Sequence, residues 1–210
     1  KNQVGVFNHP KLILIDTSFL ISLPERELKS GFAEMLKHGL IFDRKYYRTL
    51  SDLNKIDSKL SSNLILKSIK IKNEIVNNDP REKNFRKILN FGHTLGHAIE
   101  SHFLSKKRPE NLLHGEAISI GMILESYISH KILKMPYKQC LEIKQNMNSK
   151  FHKIKIGSED SKSILKLIKF DKKNKGGKVL FVLLSEIGKS KIDIEVPKKI
   201  IIESIEFYNS

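Results

Sequence analysis

Along most of this chain the apolar residues recur every three or four positions. Leu28, Phe32, Met35, Leu36, Leu40 and Phe42 mark one such stripe, the spacing of a helix that buries one face. Ser22 and Pro24 stand just before it as a helix start. Residues 61–78 form a second amphipathic stretch, ended by the sequence NNDP, and residues 84–103 and 114–133 form two more, separated by the polar run SKKRPEN. Other patterns lie at the two ends. KLILID, residues 11–16, is a short apolar run with β-branched residues and reads as a buried strand. KVLFVLL and KIDIEV read as a hairpin turning at Ile187-Gly188, and KKIIIESIEFY closes the chain as a helix.

A buried strand needs neighbours for its backbone N–H and C=O groups. No partner for KLILID follows it in the sequence, so its partners are expected upstream, in a sheet domain. The chain also begins with Lys1 rather than Met, and the expectation is that something upstream has been removed. The predicted fold class is therefore mainly α: a helical domain over residues 24–210, with one N-terminal strand left from an α/β domain that ends at residue 23, and a C-terminal β-hairpin.

Composition narrows the function classes. The 210 residues include 40% hydrophobic ones, enough for a sizeable core, and no apolar run approaches the roughly 18 residues of a membrane span. A single cysteine, Cys140, excludes an intrachain disulfide and fits a reducing compartment. The formal net charge of +15 suggests nucleic acid at first sight. The lysines are spread along the chain, however, with no basic helix and no aromatic-interleaved basic motif, so the reading is against nucleic acid. A small anionic substrate could use a few of these cations, with the rest as solvated surface.

The candidate chemistry lies in LNFGHTLGHAIE, residues 89–100. On one helix, Arg86, Asn90, His93 and His97 fall within a band of roughly 60°, continued by Glu100. Solvated faces are usually Lys, Glu and Gln, so an Arg-Asn-His-His stripe beside apolar flanks is unusual for one. Gly92 and Gly96 add a second edge, where another helix can approach closely. The two histidines do not make a metalloprotease motif, because Thr94 stands where its glutamate would be. HGEA, residues 114–117, puts His114 at a helix start. AEMLK, residues 33–37, puts Glu34 and Lys37 on one face of an apolar helix. A carboxylate and two imidazoles from three helices make a zinc site with open positions. The residues alone leave open which two of His93, His97 and His114 would bind.

LPERELKSGFAEMLKHGLI, RKILNFGHTLGHAIE, HGEAISIGM and DKKNKGGKVLFVLL resemble, in that order, the 3-dehydroquinate synthase family. The resemblance implies an N-terminal α/β domain that binds NAD, of which residues 1–23 are the end, and a C-terminal helical domain that binds zinc, or cobalt in its place. It implies a cytoplasmic, usually dimeric lyase of the shikimate pathway acting on 3-deoxy-D-arabino-heptulosonate 7-phosphate. NAD oxidises the C5 hydroxyl, phosphate is eliminated, the ketone is reduced back, and ring opening with an aldol step closes the carbocycle. Carried over by motif, Glu34, His93 and His114 are the metal ligands. His97 hydrogen-bonds substrate and moves protons. Lys37, Lys72, Arg86, Asn90, Lys172 and Lys173 are polar groups around the substrate. Lys1 and Asn2 lie at the cofactor–substrate boundary, and Phe19, Leu20, Ile21 and Ser22 border the dinucleotide. The chain departs from the family pattern at SKKRPEN, which lengthens the loop before His114, and at Pro80, where an acidic residue is usual. Rival readings are another sugar phosphate cyclase, of the valiolone or inosose type, and a zinc-stabilised helical binding module without catalysis.

Overall fold

The computed structural model describes residues 10–57, 59–106, 112–169 and 179–210. Among them are eight α-helices: α1 (Glu25–Phe42), α2 (Arg44–Ser51), α3 (Ser62–Asn78), α4 (His93–Ser105), α5 (His114–Leu133), α6 (Tyr137–Lys150), α7 (Ser158–Lys169) and α8 (Lys198–Asn209). Two 3-10 turns cover Thr17–Ser22 and Phe85–Asn90, and one antiparallel hairpin pairs β1 (Leu180–Glu186) with β2 (Lys189–Glu195). The fold is mainly α with a C-terminal hairpin, as the periodicity predicts. The sequence reading assigned no element to the stretch that forms α6 and α7.

α5 is the axis of the domain. From Gly115 to Ser126 every residue is buried, which is where a helix apolar on all sides must sit. α1, α4, α6, α8 and β1 all pack against it. The hairpin is tied in by hydrogen bonds as well as by apolar side chains. Gly188 N–H donates to the Leu40 carbonyl of α1 at 2.7 Å, and Leu184 N–H donates to Ser129 Oγ of α5 at 2.9 Å. Gly188 turns the chain with φ +91°, in the left-handed region that glycine enters at no steric cost.

α4 and α5 run antiparallel and all but touch backbone to backbone. A Cβ placed on Gly121 would lie 2.0 Å from the Gly92 carbonyl oxygen and 2.8 Å from the Gly96 nitrogen. The small-residue edge expected from Gly92 and Gly96 is thus used as expected, with a third glycine opposite. No described helix is long and apolar enough to cross a membrane.

Two expectations are corrected. Residues 11–16 form no strand, and Leu12, Ile13, Leu14 and Ile15 are exposed. The physical reason is the one that made the run informative: among the described residues β1 and β2 pair only with each other, so nothing takes up its backbone groups. The second correction concerns residues 84–103, which are not one helix. The 3-10 turn ends at Asn90, Phe91 is extended, and Gly92 takes φ +79° before α4 begins. A glycine in the left-handed conformation is a common helix stop, and here a new helix starts immediately after it.

Gly121→Ala is expected to destabilise the chain by roughly 1–3 kcal/mol, the usual cost of forcing extra volume into a closed contact. The urea midpoint by circular dichroism measures it; an unchanged midpoint would mean that the two helices can part without cost.

Candidate metal centre

Three helices bring their polar residues to one place. α1 contributes Glu34 and Lys37, α4 contributes His93 and His97 in its first two turns, and α5 contributes His114 as its first residue. Glu34 Oε1 lies 3.5 Å from His93 Nε2 and 3.9 Å from His114 Nε2. The three imidazoles each offer a nitrogen within 4.8 Å of the others, and His97 stands 5.1 Å and 5.7 Å, ring centre to ring centre, from His93 and His114. Ligand atoms on a tetrahedral zinc lie roughly 3.3 Å apart; the Glu34–His93 pair is close to that spacing, and the Glu34–His114 pair is about 0.6 Å wider.

The outer hydrogen bonds leave the right atoms free. The Phe91 carbonyl sits 3.1 Å from His93 Nδ1. A carbonyl only accepts, so Nδ1 carries the proton and Nε2 keeps its lone pair. Glu100 Oε2 lies 3.3 Å from His114 Nδ1 and fixes that ring in the same way. Lys37 Nζ donates to Glu34 Oε2 at 2.6 Å, while Glu34 Oε1 is buried and makes no hydrogen bond. A carboxylate oxygen without a donor, facing two imidazole nitrogens with free lone pairs, is a donor set for a divalent cation. Histidines held by carboxylates or carbonyls on the far side are the usual supports of such ligands.

Electrostatics agree. Burial would raise the Glu34 carboxyl, but the Lys37 ammonium overcomes it and holds the group down at about 2. Burial, with Lys37 adding to it, pushes the His93 ring down to about 3. Both groups are therefore in the metal-binding form at neutral pH. Lys37 is itself buried, and does not snorkel to solvent.

The other predicted site residues fare differently. Lys72 is exposed on α3, close enough for its charge to act on His38 beside Lys37. Arg86 and Asn90 are on the 3-10 turn and not on the helix of the histidines. Arg86 Nη1 donates to the Pro80 carbonyl at 2.9 Å, and Asn90 Nδ2 donates to Glu82 Oε1 at 2.8 Å. Phe19, Leu20, Ile21 and Ser22 lie on the first 3-10 turn, with Phe19 and Ile21 exposed. Lys1, Asn2, Lys172 and Lys173 are outside the described residues.

Sequence reasoning missed the supports of His114. Glu116 Oε2 accepts the Leu113 N–H at 2.8 Å, and both its oxygens accept from the Arg26 guanidinium at 2.7 Å. Ser30 Oγ accepts the Gly115 N–H at 2.9 Å, and a Cβ on Gly115 would lie 2.0 Å from the Ser30 carbonyl oxygen. Arg26, Ser30 and Glu116 all stand inside the quoted motifs. A charged residue three places into a helix, after a residue without a capping side chain, was the available signal.

The family model described as 3-dehydroquinate synthase C-terminal matches residues 31–174. The 3-dehydroquinate synthase of Parabacteroides distasonis is 38% identical over 210 residues, covering 99% of this chain and 59% of that protein. Those of Thermodesulfovibrio yellowstonii and Halalkalibacterium halodurans are 40% and 39% identical, over 93% and 97% of this chain and 55% and 56% of theirs. The chain thus spans less than two thirds of the length of these curated relatives. Among solved structures, a 2-deoxy-scyllo-inosose synthase complexed with carbaglucose-6-phosphate, NAD+ and Co2+ superposes with a TM-score of 0.78 at 28% identity, over 99% of this chain and 58% of that one. A 2-epi-5-epi-valiolone synthase from Streptomyces hygroscopicus, with NAD+ and Zn2+ bound, reaches 0.82 at 22% identity over 99% and 58%, and that likeness shows the fold alone.

The depressed histidines give a pH prediction. His93 and His38 both fall from 6.5 to about 3 through burial, reinforced by Lys37. The unfolded chain therefore takes up these protons first as pH falls. Each ring's contribution to stability is complete above pH 6.5 and is lost progressively toward pH 3. In the metal-free chain, histidine ring resonances for both should show no titration between pH 8 and about 5; a midpoint near 6.5 for either would remove its burial argument.

Proposed function

This chain belongs to the 3-dehydroquinate synthase family, and we propose that it is the metal- and substrate-holding part of that enzyme. In this reading residues 24–210 are the helical domain and residues 1–23 the end of a nucleotide-binding domain. The whole protein converts 3-deoxy-D-arabino-heptulosonate 7-phosphate to 3-dehydroquinate and phosphate, with NAD and with zinc or cobalt. The observation that carries the reading is the convergence of three atoms with unused lone pairs, Glu34 Oε1, His93 Nε2 and His114 Nε2. A cation held there lowers the pKa of the substrate hydroxyls it touches, and the dinucleotide supplies the hydride acceptor.

The chain's own residues do the rest of the work assigned to this half. Lys37 takes one oxygen of Glu34 and so aims the other inward. His97, one helical turn beyond His93, is within reach of a substrate bound at the same place and serves as its proton carrier. Lys72 and Arg86 supply cations for a substrate that carries a carboxylate and a phosphate, Arg86 being suited to bidentate binding. Asn90 belongs to the same polar group, and Lys172 and Lys173 complete it. Lys1, Asn2 and residues 19–22 form the border with the dinucleotide. The exposed apolar run of Leu12, Ile13, Leu14, Ile15, Phe19 and Ile21 supports this border, because contiguous apolar surface of that kind marks a place where another body packs. The reading includes the family's homodimer and cytoplasmic location. Curated relatives at 38–40% identity are dehydroquinate synthases, which favours this substrate over those of the valiolone and inosose cyclases.

The ligand assignment predicts a split between neighbours. His93→Ala should lose zinc, whereas His97→Ala should keep it and, in the complete enzyme, lose roughly 10²- to 10⁴-fold in rate, the scale of a positioned acid–base group. Zinc titration of both variants decides it: loss of zinc by both would favour the three-histidine set, and loss by His97→Ala alone would reverse the roles of the two neighbours.

Activity should require a nucleotide-binding domain, since hydride transfer needs donor and acceptor held about 3–3.5 Å apart. Phosphate release is measured with NAD and zinc for the 210-residue chain alone and for the chain joined to the N-terminal part of the Parabacteroides distasonis relative. Silence of the first and turnover by the second is the expected result. Turnover by the chain alone would overturn the division of labour.

A further inference from the structure

α4 begins without a capping side chain of its own. Its N-cap is Gly92, which has nothing to offer the first-turn amides, and those amides need acceptors. Glu125, one turn after Gly121 on α5 and fully buried, reaches across and provides them. Its Oε2 accepts the Gly92 N–H at 2.6 Å and its Oε1 accepts the Leu95 N–H at 3.1 Å. His93 lies between those two residues. Both carboxyl oxygens accept from backbone N–H groups, which fixes the side chain whichever form it takes. Burial pushes the carboxyl up to about 8, with the amides pulling the other way. A carboxyl group at the positive end of a helix supplies the acceptors that its free amides lack.

The location gives this cap a second consequence. His114 and Glu125 are eleven residues apart on α5, about three helical turns, and so lie on one face of it. That face meets α4 along its length, with Glu100 on His114 at one end and Gly92 on Glu125 at the other. The cap fixes the height and rotation of the first turn of α4 relative to the helix that carries His114. A metal site tolerates only tenths of an ångström of error in its ligands.

We infer that Glu125 is a positioning residue for the metal centre: its buried carboxyl group holds the start of α4 so that His93 meets Glu34 and His114 in binding geometry. The inference rests on the metal reading above. The sequence carried a sign of it in GMILESYI, a single carboxylate in an otherwise apolar helical run.

The test compares two variants at opposite ends of α4. Glu125→Gln keeps the volume but turns an NH2 toward one of the amides. Asp160→Asn weakens the bond to His102 at 2.8 Å, near the far end of the helix. Zinc affinity is measured by chelator competition, the visible spectrum is recorded with Co2+ bound, and the urea midpoint is taken for each metal-free protein. Glu125→Gln should lose roughly 10- to 100-fold in zinc affinity, the range seen for outer supports of metal ligands. Its Co2+ bands should shift, while Asp160→Asn keeps both affinity and bands. Wild-type affinity and spectrum in Glu125→Gln would overturn the inference and leave the metal reading standing. Equal loss in both variants would overturn it as well, since loosening of α4 anywhere would then suffice. Failure of the unaltered chain to bind zinc or cobalt would remove the metal reading, and this inference with it. If Glu125→Gln does not fold, Glu125→Asp takes its place, drawing the carboxyl group back by one methylene; a smaller loss of affinity supports the inference and none overturns it.

Discussion

The close approach of α4 to α5 is the constraint on which the rest of the site depends. The Gly92 carbonyl stands where a Cβ on Gly121 would have to go, so the separation of the two helices is set by backbone and not by side chains. Side chains repack when they are pushed, whereas two backbones in contact have little room to adjust. His93 and His97 on one helix and His114 on the other inherit that fixed distance. The third wall, α1, is fixed to α5 by an equally close contact at Gly115 and Ser30. Two backbone contacts thus place three helices, and with them one carboxylate and three imidazoles.

The chemistry of the centre costs stability that the remainder of the domain must offset. Glu34 keeps an acceptor without a donor, Lys37 is buried beside it, and His93 is held neutral by burial. Each of these is unfavourable taken singly. They persist because α5 is enclosed on every side by apolar residues of α1, α4, α6, α8 and β1. Arg26 and Glu116 add a bidentate pair at the rim, where the arginine is half exposed and its pairing contributes more to orientation than to stability. A cluster of this kind becomes favourable when a cation takes up the unused lone pairs, which links binding of the metal to stability of the fold.

The opposite end of the chain shows the converse. Leu12 to Ile15, with Phe19 and Ile21, are as apolar as the core, yet they remain exposed. Their composition is that of a buried strand, and composition alone cannot supply the neighbouring strands that burial requires. The helical part differs, because its backbone hydrogen bonds close within the helices or, at the amides of Gly92, Leu95 and Gly115, on Glu125 and Ser30 of neighbouring helices.

How much of this was legible in the chain follows from the same distinction. Periodicity reports which face of a helix is apolar, so α1, α3, α5, α8 and the hairpin were all readable, and so were Glu34, His93 and His114 as unusual residues on helical faces. The small edge of Gly92 and Gly96 was readable too, since small residues leave room. Three things were not. The helical stripe through Arg86 and Asn90 was broken at Phe91-Gly92, because the Gly92 amide goes to Glu125, thirty-three residues away, instead of continuing the local ladder. The supports of His114 join α1 to α5 through Arg26, Glu116 and Ser30, pairs 85 and 90 residues apart. The third is the outer contacts of two of the histidines, the Phe91 carbonyl on His93 and Glu100 on His114, which support the proposed ligand pair. Sequence determined the elements and the kinds of group on their faces, because both depend on residues a few positions apart. Tertiary structure decided which groups meet and which lone pairs stay free, because those depend on distances between segments far apart in the chain.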